Sequence, residues 1–126
     1  IAQTEAKLAR GDASAQAIGT RLALARGEFE TALEWMLENS RRDIDAAFAG
    51  SVPFLMLAGT LAAGWKLAKG ALVAQTAIDA GQNTQFMTGK IATALFFAEH
   101  ILPECAAEQT RITFGSRSLL DAAFPE

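Results

Sequence analysis

Residues 51–74 read SVPFLMLAGTLAAGWKLAKGALVA, and the fold turns on whether this stretch crosses a bilayer or fills the middle of a helical bundle. It overlaps an uncharged run from Ala46 to Trp65, 20 residues long. A spanning helix needs about 20 apolar residues at roughly 1.5 Å of rise each, so length alone allows either. Composition decides. Ala46, Ala47, Ala49, Ala58, Ala62, Ala63, Gly50, Gly59 and Gly64 make the run small rather than greasy, and Ser51, Thr60 and Pro53 dilute it further. Phe48, Val52, Phe54, Leu55, Leu57 and Leu61 supply the strong lipid-seekers, with Met56 a softer one, and each is worth only a few tenths of a kcal/mol of insertion. Lys66 and Lys69 follow within one turn. A small-residue helix that is apolar nearly all round belongs at the centre of a soluble bundle, and that is the expectation for this stretch.

The rest of the composition agrees with a helical domain. A chain of 126 residues fits one domain able to bury a core of its own. Eleven basic and fourteen acidic residues leave a formal charge of −3, too mild to call for nucleic acid or an anionic lipid surface. Membrane attachment is not expected. Cys105 is the single cysteine, so no internal disulfide forms, which suits a reducing compartment such as the cytoplasm. Ile1–Arg10 lacks the apolar core of a signal peptide, and a start at Ile1 instead of Met suggests a chain that has been trimmed or is a piece of something longer. Three prolines, no tyrosine and no strand-length alternation point to an all-α fold.

Working outward, Ile1–Arg10 is a short helical lead-in, and Gly11-Asp12 breaks it and caps the next helix. Between Ser14 and Asn39, the residues Ile18, Leu22, Ala25, Phe29, Ala32 and Met36 recur at steps of four and three, a heptad-like seam that Leu33 and Leu37 widen. Glu28, Glu30, Glu34 and Glu38 mark its outer surface, and Arg41 and Arg42 close it where the helix dipole favours cations. The next element runs from about 43 to 80, with Pro53 predicting a kink or break near 49–52. Gly59, Gly64 and Gly70 lie on roughly one side of it, which predicts the close approach of a neighbouring backbone. Gly81 to Thr84 forms a short antiparallel connection. A last long helix is expected over 85–114, with Met87, Ile91, Ala94, Ala98, Ile101 and Cys105 as its stripe, thickened by Leu95 and Leu102. Pro103 should bend this helix, Gly115-Ser116 should end it, and 117–123 can add another turn or two. The expected architecture is an antiparallel bundle of three long helices with shorter terminal pieces, resembling a four-helix bundle.

Chemistry-bearing patterns are scarce. His100 is the only histidine and Phe97 stands three residues before it, so the paired Glu-x-x-His motifs of a di-iron bundle cannot be built from this chain. Zinc through His100, Glu104 and Cys105 lacks a fourth ligand. His100 is read instead as a buried hydrogen-bond partner at the Pro103 bend. The row Glu30, Glu34, Glu38 is read as a solvated face relieved by Arg26, Arg41 and Arg42, with a basic surface on another domain as the alternative partner. No phosphate loop, nucleophile elbow or Ser/His/Asp set is present. No catalytic, cofactor-binding or metal-ligating residue is assigned.

Two stretches taken together resemble a known family. VPFLMLAGTLAAGWKLAKGAL, followed across a polar turn by FMTGKIATALFFAEHILPE, is similar to the helical domain at the C-terminus of certain bacterial acyl-CoA dehydrogenases. The likeness rests on Pro53, Gly59, Gly64 and Trp65, then Lys90, Ala98, Glu99, His100, Leu102 and Pro103. Phe97 stands where such sequences often carry tyrosine. The resemblance covers roughly residues 28–114; together with the length it implies that residues 1–126 are a single helical domain, the C-terminal fragment of a longer flavoenzyme, with 1–12 as lead-in helix or linker. It implies an FAD-dependent parent that desaturates acyl-CoA thioesters between the α and β carbons, with flavin and base outside this chain. The module would pack on that dehydrogenase core and shape a homodimeric assembly. Two other readings stay open: a peripheral membrane module, or a stand-alone bundle with a ligand pocket where the glycines and Pro53 open space.

Overall fold

Asp12 starts the first long helix by accepting a hydrogen bond from the Ala15 N–H at 2.9 Å. The computed structural model describes residues 1–122, all of them helix or short connection. The elements are α1 (Ala2–Leu8), α2 (Ala13–Arg42), α3 (Ile44–Ala49), α4 (Ser51–Asp79), α5 (Thr84–His100) and α6 (Glu104–Leu120). Asp43 ends α2 and caps α3 through the Ala46 N–H at 3.1 Å. The element expected over 43–80 is broken at Gly50, not merely kinked. Pro53 then falls in the first turn of α4, where a missing N–H costs nothing because no intrahelical acceptor stands before it.

α4 ends in a Schellman motif. Gly81, at φ 71°, donates to the Ile78 carbonyl at 2.8 Å, and Gln82 donates to the Ala77 carbonyl at 2.9 Å. Asn83 follows at φ 40°, a left-handed conformation that asparagine tolerates better than most residues. The chain reverses, and α5 returns along α4.

The helix expected over 85–114 is two helices. Pro103 has no N–H to continue the ladder, Ile101 and Leu102 both donate to the Phe97 carbonyl, and α6 restarts at Glu104. The irregular turn shifts the inward position by one residue, so Leu102 and not Ile101 joins Ala94, Ala98 and Cys105 in the core. Gly115 does not end the last helix, which runs on to Leu120. α5 and α6 each pack on α2 and α4 and hardly on one another, so they act as two segments of one broken rod. Three rods result: α2, α4 and α5–α6. Leu22, Leu57, Ile112 and Cys105 are fully buried among them. The turn or two expected over 117–123 continues α6 as far as Leu120, and residue 123 lies outside the described residues.

α1 closes one side of this bundle. Arg26 makes a forked pair with Glu5, Nε to Oε1 at 2.9 Å and Nη2 to Oε2 at 3.2 Å, and also reaches Glu30 at 2.6 Å. The hydrogen bond to Glu5, then that to Glu30, holds the Arg26 guanidinium firmly in its charged form. Trp65 Nε1 donates to Thr4 Oγ1 at 3.0 Å, tying α1 to α4.

The central helix is not buried all round, contrary to the expectation for 51–74. Leu57, Leu61, Gly64, Ala68, Ala71 and Ala74 face inward, while most of its apolar window lies outside the core. Two neighbouring rods and α1 can cover only part of a cylinder. α4 is the one helix among the described residues long and apolar enough to cross a membrane.

Candidate functional surfaces

The open face of α4 carries Val52, Leu55 and Met56 at 68%, 70% and 54% exposure, and Phe48 of α3 beside its start is 68% exposed. Along α4 the exposed positions Val52, Leu55, Gly59, Ala62 and Lys66 recur at steps of three and four, the spacing of a second helix-packing seam. A Cβ built on Gly59 or Gly70 would meet nothing within 4 Å. Of the three glycines expected to admit a backbone, only Gly64 is closely packed, and what fills its space is the Leu102 side chain, 2.6 Å from a built Cβ. Between α2 and α4 a groove of about 610 Å³ is floored by Phe29, Leu33, Ala58 and Ala62. It lies along the side where a fourth rod would rest.

On the other side, α4 and α5 enclose an open groove of about 800 Å³ lined by Lys66, Gly70, Phe86, Gly89, Lys90 and Thr93. Lys66 Nζ lies 5.0 Å from the Trp65 ring centroid, and Lys90 Nζ lies 5.0 Å from that of Phe86. The sequence shows both lysines but not that they line one groove. That depends on the register of α5 against α4.

The string from Ala98 to Pro103 divides between core and surface. Ala98 and Leu102 are buried, whereas Glu99, His100 and Pro103 are exposed. The expectation that His100 is a buried hydrogen-bond partner is therefore corrected. It ends α5 in solvent, and its ring packs on exposed Phe96 at a centroid distance of 4.6 Å. The position lies outside the inward stripe of Ala94, Ala98 and Leu102, so the helix turns it away from the core. Cys105 is 1% exposed, and burial, then the charges of Glu28, Glu104 and Glu108, push its thiol up to about 11. His100 and Cys105 thus face different environments and are not brought together. Of the acidic row, Glu30 pairs with Arg26 and Glu38 with Arg42, while Arg41 forms no ion pair among the described residues.

Comparison with known proteins places this architecture. Residues 1–123 match the family described as Acetyl-CoA dehydrogenase C-terminal like. The chain is 48% identical over 123 residues to 3-methylmercaptopropionyl-CoA dehydrogenase of Ruegeria pomeroyi, covering 98% of this chain and 21% of that protein. It is 41% identical over 78 residues to the broad-specificity linear acyl-CoA dehydrogenase FadE5 of Mycobacterium tuberculosis, covering 57% of this chain and 13% of that protein. The chain belongs to the acyl-CoA dehydrogenase C-terminal-like family. It spans about a fifth or less of the length of these relatives.

Proposed function

We propose that this chain is a noncatalytic C-terminal helical module of a cytoplasmic, FAD-dependent acyl-CoA dehydrogenase, packing on the dehydrogenase core and serving subunit assembly. The carrying observation is the open apolar face of α4, with Val52, Leu55 and Met56 exposed beside Phe48. Soluble monomers rarely leave a contiguous apolar patch of more than a few hundred Å² uncovered. Most of each relative's length lies outside the matched part, so a parent of that kind has ample chain to cover it. Flavin belongs to that other part in this reading.

Leu55→Glu with Met56→Glu in the full-length parent tests the docking. The expected result is a lower melting temperature, faster amide exchange along α4 and a smaller assembly by light scattering, with the chemical step intact in what remains folded. Unchanged melting, exchange and mass would overturn the proposal. Cut free, this chain should bury the same face against a second copy as a two-fold dimer, and a monomer at high micromolar concentration would count against it.

A peripheral membrane module is the second reading, favoured by the length and apolarity of α4. Interfacial helices usually carry a Lys/Arg-rich polar face, whereas α4 has Lys66 and Lys69 alone. Co-sedimentation with neutral vesicles, abolished by the same α4 substitutions, is the result that would favour it.

A further inference from the structure

The α4–α5 groove has a composition unlike the rest of the surface. The chain as a whole is acidic at −3, yet the residues lining this groove include two lysines and no carboxylate. Neither Lys66 nor Lys90 is in an ion pair among the described residues. Each ammonium stands 5.0 Å from an aromatic ring centroid, a contact that holds the side chain in place without neutralising its charge. Gly70 and Gly89 form the floor, and a Cβ on either would meet nothing within 4 Å, so the depression is open space. Phe86, 57% exposed, gives the groove an aromatic wall. The first turn of α5, with no side-chain cap on its N–H groups, opens on the same space through Asn83 and Gln85. At about 800 Å³ the groove is within the roughly 300–1,000 Å³ range of small-molecule sites.

We infer that this groove binds a phosphate-bearing amphipath, with the phosphate between Lys66 and Lys90 and the apolar or aromatic portion against Phe86 and the glycine floor. Lysine ammoniums suit phosphate as point charges. The exposed ring supplies a flat surface on which a base or chain can pack. A phosphate of this kind can come from a soluble nucleotide-type molecule or from a phospholipid headgroup. Lys66 also belongs to the exposed α4 seam, so the groove adjoins the face assigned to docking; ADP and vesicle binding read the groove, whereas amide exchange along α4 and assembly mass read the docking.

The test compares the full-length parent with Lys66→Gln/Lys90→Gln and, separately, with Gly89→Leu, which fills the floor in space that is open. Binding of ADP is measured by equilibrium dialysis, and binding to phosphatidylglycerol vesicles by co-sedimentation, with melting temperature as the control for folding. Taking differences between parent and variants cancels any sites elsewhere in the chain. Loss of one ADP site per chain, or a weakening of at least about tenfold, in both variants supports the proposal with a nucleotide-type source. The same loss seen with vesicles alone supports it with a lipid source. Unchanged ADP and vesicle binding in both variants at unchanged melting temperature overturns it.

Discussion

The Leu102 side chain occupies the space that Gly64 leaves by having no side chain: a Cβ on Gly64 would lie 2.6 Å from Leu102 Cδ2 and 3.1 Å from Cγ. This contact locks the irregular turn between α5 and α6 onto α4. Gly64→Ala should gain about 1 kcal/mol of helix propensity and lose about 1–3 kcal/mol to overpacking, a net destabilisation on the order of 1 kcal/mol. Leu102→Ala should cost about 2–5 kcal/mol. In the double variant the alanine at 64 should become harmless, and chemical denaturation of the four proteins in a cycle reads this coupling.

Gly59 gives the opposite sign. Its Cβ position is empty in this chain, so Gly59→Ala should stabilise the isolated chain by about 0.5–1 kcal/mol. In the full-length parent, where the proposed docking brings another helix onto that face, the benefit should vanish. Equal gains in both proteins, measured by melting, would speak against a close contact at Gly59.

Trp65 and Thr4 make the polar tie between α1 and α4, Nε1 to Oγ1 at 3.0 Å, with Thr4 only 7% exposed. Thr4→Val keeps the shape and removes the acceptor. The indole N–H left without a partner should cost about 1–2 kcal/mol. Amide exchange of α1 should rise with little change in α5. Uniform exchange along the chain would show that the bond does not anchor α1.

His100 predicts an effect by being small. It is exposed and touches Phe96, so His100→Ala should change stability by no more than about 0.5 kcal/mol. A larger loss in this chain would restore a structural role. A loss confined to the full-length parent would place His100 in the contact with the dehydrogenase core.

Cys105 carries the pH dependence. Its thiol is held neutral up to about 11 in the fold, against a reference of 9.0. Below pH 9 both folded and unfolded chains carry the neutral thiol, and stability does not depend on it. As pH rises from 9.0 towards about 11, the unfolded chain releases its proton first, so the fold loses stability across that window. Denaturation curves from pH 8 to 11 should show the loss, and Cys105→Ala should flatten it. At neutral pH the native thiol should resist a disulfide reagent and react once unfolded. Rapid native reaction would mean that the α5–α6 turn opens.

Much of the fold was legible in local chemistry. Asp12 read as a cap because a carboxylate one residue before a helix can take a free N–H of its first turn. Gly81 read as a stop because glycine takes the left-handed backbone that ends a helix, and its φ is 71°. The seam Ile18, Leu22, Ala25 and Ala32 was visible because α2 also has a charged face, and the contrast shows which side turns inward. The α4 sequence has no such contrast. A helix apolar nearly all round fixes which residues share a face but not which face is covered. Tertiary packing therefore decided that Leu57, Leu61 and Gly64 face inward while Val52, Leu55 and Gly59 stay open. Packing likewise set Leu102 inward in place of Ile101, turned His100 to solvent, and brought Lys66 to the same groove as Lys90. Such pairings depend on the rotation and register of one rod against another, set by which side chains interlock. The 3.6-residue period of a single helix carries no record of them.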